Sequence, residues 1–403
     1  MAELSTAIAK KAVPATFTRR SLIGSGLAMG LVGCAAPAPL NVPSISSSRA
    51  YGFADLKPLD LAAENLIKIT VCTRPFRPAG PRLEAEVRGS TFLVHNYGHG
   101  GSGWSLAWGY AEAVRDFVFA QGAKSVTVVG AGAMGLTTGI SIAETGARVT
   151  ILARDMPMEA RSARATGVWS PSSRIGFAGA TQPDIAARRE KVARRSYARH
   201  LTYLGRGGNP VEFTPRFYVR SDTPEPPIVP RPNEADRFVE LGRALRGLTP
   251  PWTEREDTPF PGERGVRGGL VMTFNIAAYT RQLVEDFQAM GGRIERETVA
   301  SGEEMARLSG DAIVNCAGYD ARTLASDDTL IPVRGQIAWM APQLDRLYGV
   351  HHRGITVLSR RDGLLIQESG GNDFYGLGDA SESPDRGEFE AALGKVAPLF
   401  DWE

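Results

Sequence analysis

The chain has 403 residues, 43% of them apolar, with 46 Lys and Arg against 44 Asp and Glu and a formal net charge of +2. That length can bury a sizeable core and accommodates two interlocked domains. The near-neutral balance gives no basis for nucleic-acid binding. The 3 cysteines include no CxxC or His/Cys cluster, so no metal site is expected.

Lys10, Lys11, Arg19 and Arg20 precede a short apolar run, SLIGSGLAMGLVG (21–33). The run is too short to span a bilayer comfortably, and residues 1–33 read as a signal peptide. Thr18-Arg19-Arg20-Ser21-Leu22-Ile23 looks like a twin-arginine export signal. Leu31-Val32-Gly33-Cys34 looks like a lipobox that leaves Cys34 as the lipidated first residue. The bland alternative is an ordinary secretory signal with a chance Arg pair and a chance Cys. Residues 34–64 then form the lipidated Cys and a tether, rich in Pro, Ser and Ala over 35–50. This reading places the protein, exported folded, on the periplasmic side of a bacterial membrane, held by a lipid anchor.

Residues 65–73 predict a strand, and RPFRPAGPR (74–82) an extended segment punctuated by Pro. Residues 90–98 predict a second strand ending in a glycine loop. Trp104 to Ala120 is helical, with Trp104, Leu106, Ala107, Ala111, Val114 and Phe117 largely on one face. A short strand at 126–129, the turn GAGAMG, a helix at 134–145 stopped by Gly146, and a strand at 148–153 make a βαβ unit. Residues 156–220 are Arg-rich and irregular around a helix at 184–204. The proline-rich stretch 222–262 reads as loops around one helix at 233–246. An amphipathic helix follows at 276–290, then a strand, and a strand with a glycine turn at 311–318. Residues 331–380 read as strands of an antiparallel sheet. Cys72 and Cys316 lie in apolar runs and read as buried free thiols.

The glycine turn carries the chemistry. Gly130 permits the tight turn, Gly132 lets the backbone approach a pyrophosphate, and Gly135 lets helix and strand pack closely. The helix N-terminus offers N–H groups and a positive dipole end to phosphates. The acidic residue sought at the end of the second strand is missing. Ala153 and Arg154 stand there, with Asp155 one step later. Arg154 suits the 2′-phosphate of NADP, or it contacts adenosine while Asp155 reaches the ribose; the turn alone does not choose between FAD and NAD.

Six segments together resemble the D-amino-acid oxidase family of flavoenzymes over nearly all of residues 66–400. They are RPFRPAGPRLE (74–84), HNYGHGGSGW (95–104), VTVVGAGAMGLTTGISIAETGARVTIL (126–152), SARATGVWSP (162–171), VNCAGYDA (314–321) and PVRGQIAWM (332–340). In that family the HNYGHGG segment closes the chain and the glycine fingerprint opens it. Here the order is reversed, so the resemblance implies a circular permutant whose old ends join between Ala120 and Val126. It implies FAD, and an α/β (α+β overall) fold. A doubly wound FAD-binding domain (65–183 plus 263–330) is interleaved with a substrate domain on an antiparallel sheet (184–262 plus 331–400).

The same resemblance places Gly130, Ala131, Gly132, Ala133, Met134, Gly135, Arg154 and Asp155 on the cofactor. Ser162, Thr166, Gly167 and Trp169 join them, as do Gly100, Ser102, Gly103, Trp104 and Ser105. Free N–H groups of the 98–103 loop are expected at the flavin N1–C2=O edge, where they stabilise negative charge. On the substrate side it places Arg74 at the carboxylate, the alternative being a structural arginine packed among prolines. Gly101, Thr356 and His352 complete that side. Thr356 and His352 stand where the family has tyrosines, and Glu368-Ser369 where it has Gly-Gly, so the pocket is reshaped. Otherwise His351 and His352 read as surface residues. Arg360 and Arg361 read as solvated, or as one serving an acidic side chain.

The implied reaction is oxidative deamination of D-amino acids. Hydride passes from Cα to flavin N5, the imino acid hydrolyses to a 2-oxo acid and ammonia, and O2 reoxidises the flavin. No acid–base side chain is required, because the cofactor supplies the chemistry. The rivals are a dehydrogenase on the same scaffold feeding a respiratory carrier, an enzyme for another amine such as glycine or an N-methyl amino acid, and a non-catalytic flavin-binding lipoprotein.

Overall fold

The computed structural model describes residues 56–180, 183–221, 237–256, 258–261 and 265–402. The segment read as a signal, Cys34 and the stretch read as a tether, up to residue 55, lie outside the described residues. The first strands and helices are β1 (Leu66–Phe76), β2 (Arg82–Arg88), β3 (Thr91–Tyr97), α1 (Gly103–Ala120), β4 (Ser125–Val129), α2 (Ala133–Ala143) and β5 (Arg148–Ala153). Then come α3 (Pro183–Leu201), β6 (Val211–Val219), β7 (Thr253–Arg255), β8 (Val266–Phe274), α4 (Ile276–Ala289), β9 (Arg293–Arg296), α5 (Gly302–Ala306), β10 (Ala312–Asn315) and α6 (Ala321–Leu324). The last are β11 (Ile331–Met340), β12 (Gly349–His352), β13 (Ile355–Arg360), β14 (Gly363–Glu368) and α7 (Arg386–Val396).

One sheet has 6 strands in the order β2-β3-β10-β4-β5-β9. All neighbours are parallel except the edge strand β2, which runs against β3. Its strands are short and rich in Val and Ile because both faces are covered. Val94, Val126, Val128, Ala312 and Val314 face α1, α2 and α4 in one core. The alternate residues Leu93, Val129 and Ile313 face Met305 and Leu324 on the other side. The connection through α2 carries the chain from β4 to β5, while β10 lies on the opposite side of β4. Turns after β4 and β10 therefore open a crevice at the carboxyl ends of the strands, where ligands bind in such sheets.

The other sheet has 8 strands in the order β1-β11-β14-β13-β12-β6-β8-β7. It is antiparallel except where β6 and β12 run parallel. Alternation divides its faces. Ala338, Met340, Val350, Ile355, Val357, Leu364 and Ile366 pack on Phe389, Ala392 and Val396 of α7. The opposite face carries Ile337, Trp339, Leu358 and Leu365 and turns toward the crevice.

Several expectations are corrected. β1 pairs with β11, and β8 with β6, so segments assigned to the FAD-binding domain belong to the substrate sheet. That sheet is mixed rather than wholly antiparallel. β1 also runs on through Arg74 and Pro75 to Phe76; Pro is tolerated because β1 is an edge strand. β6 lies inside the stretch read as irregular. Residues 242–248 form turns rather than a helix. α7, which was not anticipated, covers the sheet. Leu59 and Leu61 are buried beneath it, and the Tyr348 hydroxyl donates to the Lys57 carbonyl, so the fold begins before residue 64.

Candidate active site

A cavity of about 580 Å³ runs from the glycine turn after β4 to the face of the larger sheet that carries Ile337 and Thr356. At its nucleotide end the turn is forced. Gly130 has φ +105°, and a Cβ there would stand 2.5 Å from the Cys316 carbonyl oxygen. A Cβ on Gly135 would overlap the Gly130 carbonyl, which is the close packing of helix on strand that the spacing implied. Ser162 Oγ accepts from the Ala133 N–H at 3.0 Å, and the Trp104 indole donates to the Ser162 carbonyl at 2.8 Å. The loop 162–170 is thus fastened to the starts of both α1 and α2.

Arg154 reaches Asp155 and Asp320, each at 2.9 Å. The hydrogen bond to Asp155, and then the charge of Asp320, raise its pKa further. Cys316 lies buried under the turn, and burial pushes its thiol up to about 12. It is a neutral packing group, and Cys72 is likewise a buried free thiol on β1.

The glycine loop behaves differently from expectation. Its amides are largely used within the protein: Gly100 N–H donates to Pro75 O at 2.7 Å, Gly101 to Ser173 O at 3.0 Å and Ser102 to His99 O at 3.0 Å. What remains for a ligand is the first turn of α1, where the N–H groups of Gly103 and Trp104 have no intrahelical acceptor. His99 lines the cavity with Nε2 buried and without a partner, and burial drives its pKa down to about 3. Asn96 Oδ1 is likewise a buried orphan on the cavity wall.

These features fit a dinucleotide. A glycine cradle, an open helix N-terminus and orphaned polar atoms line one continuous space, and native proteins rarely leave such atoms unpaired. FAD would rest its pyrophosphate on Gly130–Met134 and its adenosine near Arg154 and Asp155. The far end of the cofactor would come against the 99–104 loop and residues 164–168, and its redox chemistry would operate there.

At the substrate end, Arg74 lies over Gly335, where a Cβ would overlap its guanidinium. It makes one long contact, 3.4 Å to the Arg334 carbonyl. Arg174, in a left-handed conformation with φ 51°, donates to the Asp373 carbonyl at 2.7 Å and pairs with its carboxylate at 3.2 Å. Burial, then the neighbouring Arg74, lowers the Arg174 pKa to about 10, which leaves it charged. Thr356, Gln367 and Ile337 form the floor, and Gln367 Oε1 accepts from Thr166 at 2.5 Å. Glu368 tucks under the chain, accepting from the Ser369 and Gly370 amides at 3.1 and 2.7 Å. Burial raises its pKa.

Of the residues expected at the cofactor, Gly130 to Met134, Arg154, Asp155, Ser162, Thr166, Gly167, Gly100, Gly103 and Trp104 line the cavity. Gly135, Trp169, Ser102 and Ser105 lie behind it: Ser105 Oγ accepts from the Ser170 amide, and Ser102 Oγ donates to the His99 carbonyl. Arg74, Gly101 and Thr356 line the substrate end. His352 does not; its Nδ1 meets the Val219 carbonyl at 3.1 Å on the far side. His351 instead shares the cavity-side face, bonded to Thr356 at 3.0 Å.

Arg360 is fully buried rather than solvated, paired with Asp362 at 2.8 Å and donating to the Ala165 and Thr166 carbonyls. Arg361 pairs with Glu212. Sequence reasoning missed Arg174, Gln367 and Arg216. For Arg216 a signal existed: Val211, Phe213, Phe217 and Val219 alternate, so Arg216 falls on the opposite, cavity-side face.

The family model described as FAD dependent oxidoreductase matches residues 125–401. A D-amino-acid oxidase of Rubrobacter xylanophilus is 30% identical over 283 residues, 68% of this chain and 76% of that protein. A D-amino-acid oxidase of Dictyostelium discoideum is 25% identical over 226 residues, 55% of this chain and 58% of that protein. The crystal structure of a glycine oxidase from Geobacillus kaustophilus aligns with a TM-score of 0.49 at 17% identity, over 69% of this chain and 78% of that one.

Proposed function

We propose, for a chain that belongs to the FAD dependent oxidoreductase family and uses FAD, that it oxidises the Cα–N bond of D-amino acids. Arg74 carries the reading. It is a guanidinium held at the wall of the cofactor cavity with one long carbonyl contact, and among the described residues no carboxylate pairs with it. An amino acid's α-carboxylate matches that fork, and bidentate pairing fixes orientation as well as affinity. The name of the Rubrobacter relative supports the D configuration.

Bound FAD would supply the electron sink for the Cα hydrogen and its electron pair, with O2 as the terminal acceptor. The protein's part is placement. Arg74 anchors the carboxylate, Thr356 and Gln367 bound the floor, and the α1 N-terminus offers N–H groups where negative charge develops. Burial lowers the His99 pKa to about 3, so its ring is neutral at pH 7. The resulting imino acid hydrolyses in water to the 2-oxo acid and ammonia.

The test is anaerobic. The purified holoprotein, yellow from FAD, is mixed with D-amino acids, their L-enantiomers, glycine and sarcosine. Bleaching by D-amino acids alone is the expected result, and bleaching by none of the panel overturns the reading. Oxygen uptake on readmitting air then separates an oxidase from a dehydrogenase.

We further propose that the chain is a permuted form of its family and a lipid-anchored export product. The family match starts at Ser125, yet Arg74 and the 99–104 loop, which precede it, line the same cavity. Opening the chain at Ser125 and joining the present ends by a flexible linker is expected to give a protein with unchanged FAD binding. Cys34→Ala is expected to abolish lipid labelling; labelling that survives removes the anchor reading.

A further inference from the structure

We infer that the substrate carries a second carboxylate on its side chain, and that Arg216 receives it. This rests on the reading above, in which Arg74 holds the α-carboxylate. Six arginines line the cavity, and they divide into two kinds. Arg154 pairs with Asp155 and Asp320, Arg161 and Arg164 with Glu382, and Arg174 with Asp373. Arg74 and Arg216 have no carboxylate partner among the described residues.

Arg216 is the more exceptional of the two. It is only 8% exposed, and its Nη1 is buried without a hydrogen-bond partner. β6 places it there: Phe217 and Val219 turn to the core beneath α7, so Arg216 and Tyr218 turn the other way. Its stem lies on Gly349, where a Cβ would stand 2.7 Å from Cδ and 2.8 Å from Nε. Among the described residues, no ion pair brings it a negative charge. His351 stacks on Tyr218 at 4.7 Å; burial, then the charge of Arg216, lowers its pKa to about 4. Burial brings Arg216 itself down only to about 10, so it stays cationic. A desolvated, unpaired guanidinium is a costly arrangement that an anionic ligand would relieve.

The two free guanidiniums cannot close on one carboxylate. Arg74 overlies Gly335 on β11, and Arg216 overlies Gly349 on β12. β14 and β13 lie between, which is about 14 Å at roughly 4.8 Å per strand. A second anion, at the other end of the same molecule, is what this spacing accepts. Thr356 and Gln367 floor the space between. Arg360 and Arg361 do not compete for it, since Asp362 and Glu212 already hold them.

The experiment compares acids with their amides on the holoprotein: D-glutamate against D-glutamine and D-aspartate against D-asparagine, by anaerobic flavin reduction. An acid is expected to exceed its amide by about 100-fold in kcat/KM. Arg216→Met is expected to erase that ratio, and Arg216→Lys to keep part of it. Glutarate, but not butyrate, is expected to raise the melting temperature and perturb the flavin spectrum of the parent protein. Should Arg216→Met not fold, the acid-to-amide ratio and the glutarate–butyrate pair decide by themselves. Amides reduced as fast as acids, or acid preference surviving Arg216→Met, overturn this inference alone. A flavin that no amino acid bleaches overturns the proposed function instead.

Discussion

The two ends of the cavity are built by opposite strategies. At the nucleotide end the chain presents backbone: glycines at Gly130 and Gly132, and the N-termini of α1 and α2. At the substrate end it presents long side chains from separate strands: Arg74 from β1, Arg216 from β6, Thr356 from β13 and Gln367 from β14. A pyrophosphate is a constant target, met by a short run of consecutive residues. A substrate varies, and side chains on a rigid sheet can be exchanged without disturbing the cofactor.

That contrast is open to attack, the largest effect first. Arg74→Leu is expected to lower kcat/KM for the best substrate by about 1000-fold, the scale of losing one partner of a desolvated charge pair. The flavin spectrum should be unmoved. Loss of flavin instead would merge the two ends. Gly130→Ala is expected to do the reverse, weakening FAD binding about 100-fold through a strained positive φ and a Cβ driven at the Cys316 carbonyl. Retention of FAD in equilibrium dialysis would count against a backbone-built end. Gly335→Ala is a finer probe. Its methyl displaces the Arg74 guanidinium, so KM is expected to rise about 10-fold with bound FAD unchanged.

Stability measurements probe the joint between the ends. Asp327 accepts from Arg77 at 3.0 Å, from the Tyr97 hydroxyl at 2.9 Å and from the Thr329 amide at 3.1 Å, tying the end of β1 to the end of β3. Burial works to raise its pKa, but the bonds from Thr329 and Tyr97 and the charge of Arg77 outweigh it and hold the carboxyl below its usual value. This contribution is present above the unfolded pKa near 4 and lost as pH falls through the lowered value. Asp327→Asn is expected to cost about 3 kcal/mol by denaturant midpoint.

The pH dependence of stability turns on His99 and His200, which burial holds near pKa 3. Between pH 6.5 and 3 the unfolded chain binds protons that the folded one refuses. Stability is therefore full above about 6.5 and falls below it by about 1.4 kcal/mol per pH unit for each histidine. A flat melting temperature over that range would show these rings to be solvated.

The histidine pair 351–352 shows where reading a sequence stops. Neighbours on a strand face opposite sides, so a one-residue difference decides between cavity and core. The sequence placed His352 in the pocket; the β12–β13 register puts His351 on the Thr356 side. Arg216 was hidden for a related reason. Its strand sits in an Arg-rich stretch whose alternation is legible only once β6 is recognised as a strand. The loop at 98–103 was legible as a loop of the cavity, but not the use of its amides. Gly100 and Gly101 donate to Pro75 and Ser173, residues close in space and distant in order.

Through its resemblance to a known family the amino-acid sequence implied FAD and a substrate role for Arg74; by itself it determined the glycine turn and the strand–helix–strand around it. Each is a local pattern, fixed by φ, by helix termini or by a run of adjacent residues. Only the tertiary structure decided that β1 and β8 join the substrate sheet, which face each strand presents, and which arginines find a carboxylate. Pairing and register are set by contacts between residues far apart in the chain, and a charge becomes unpaired only when folding has removed both water and every acid from its reach.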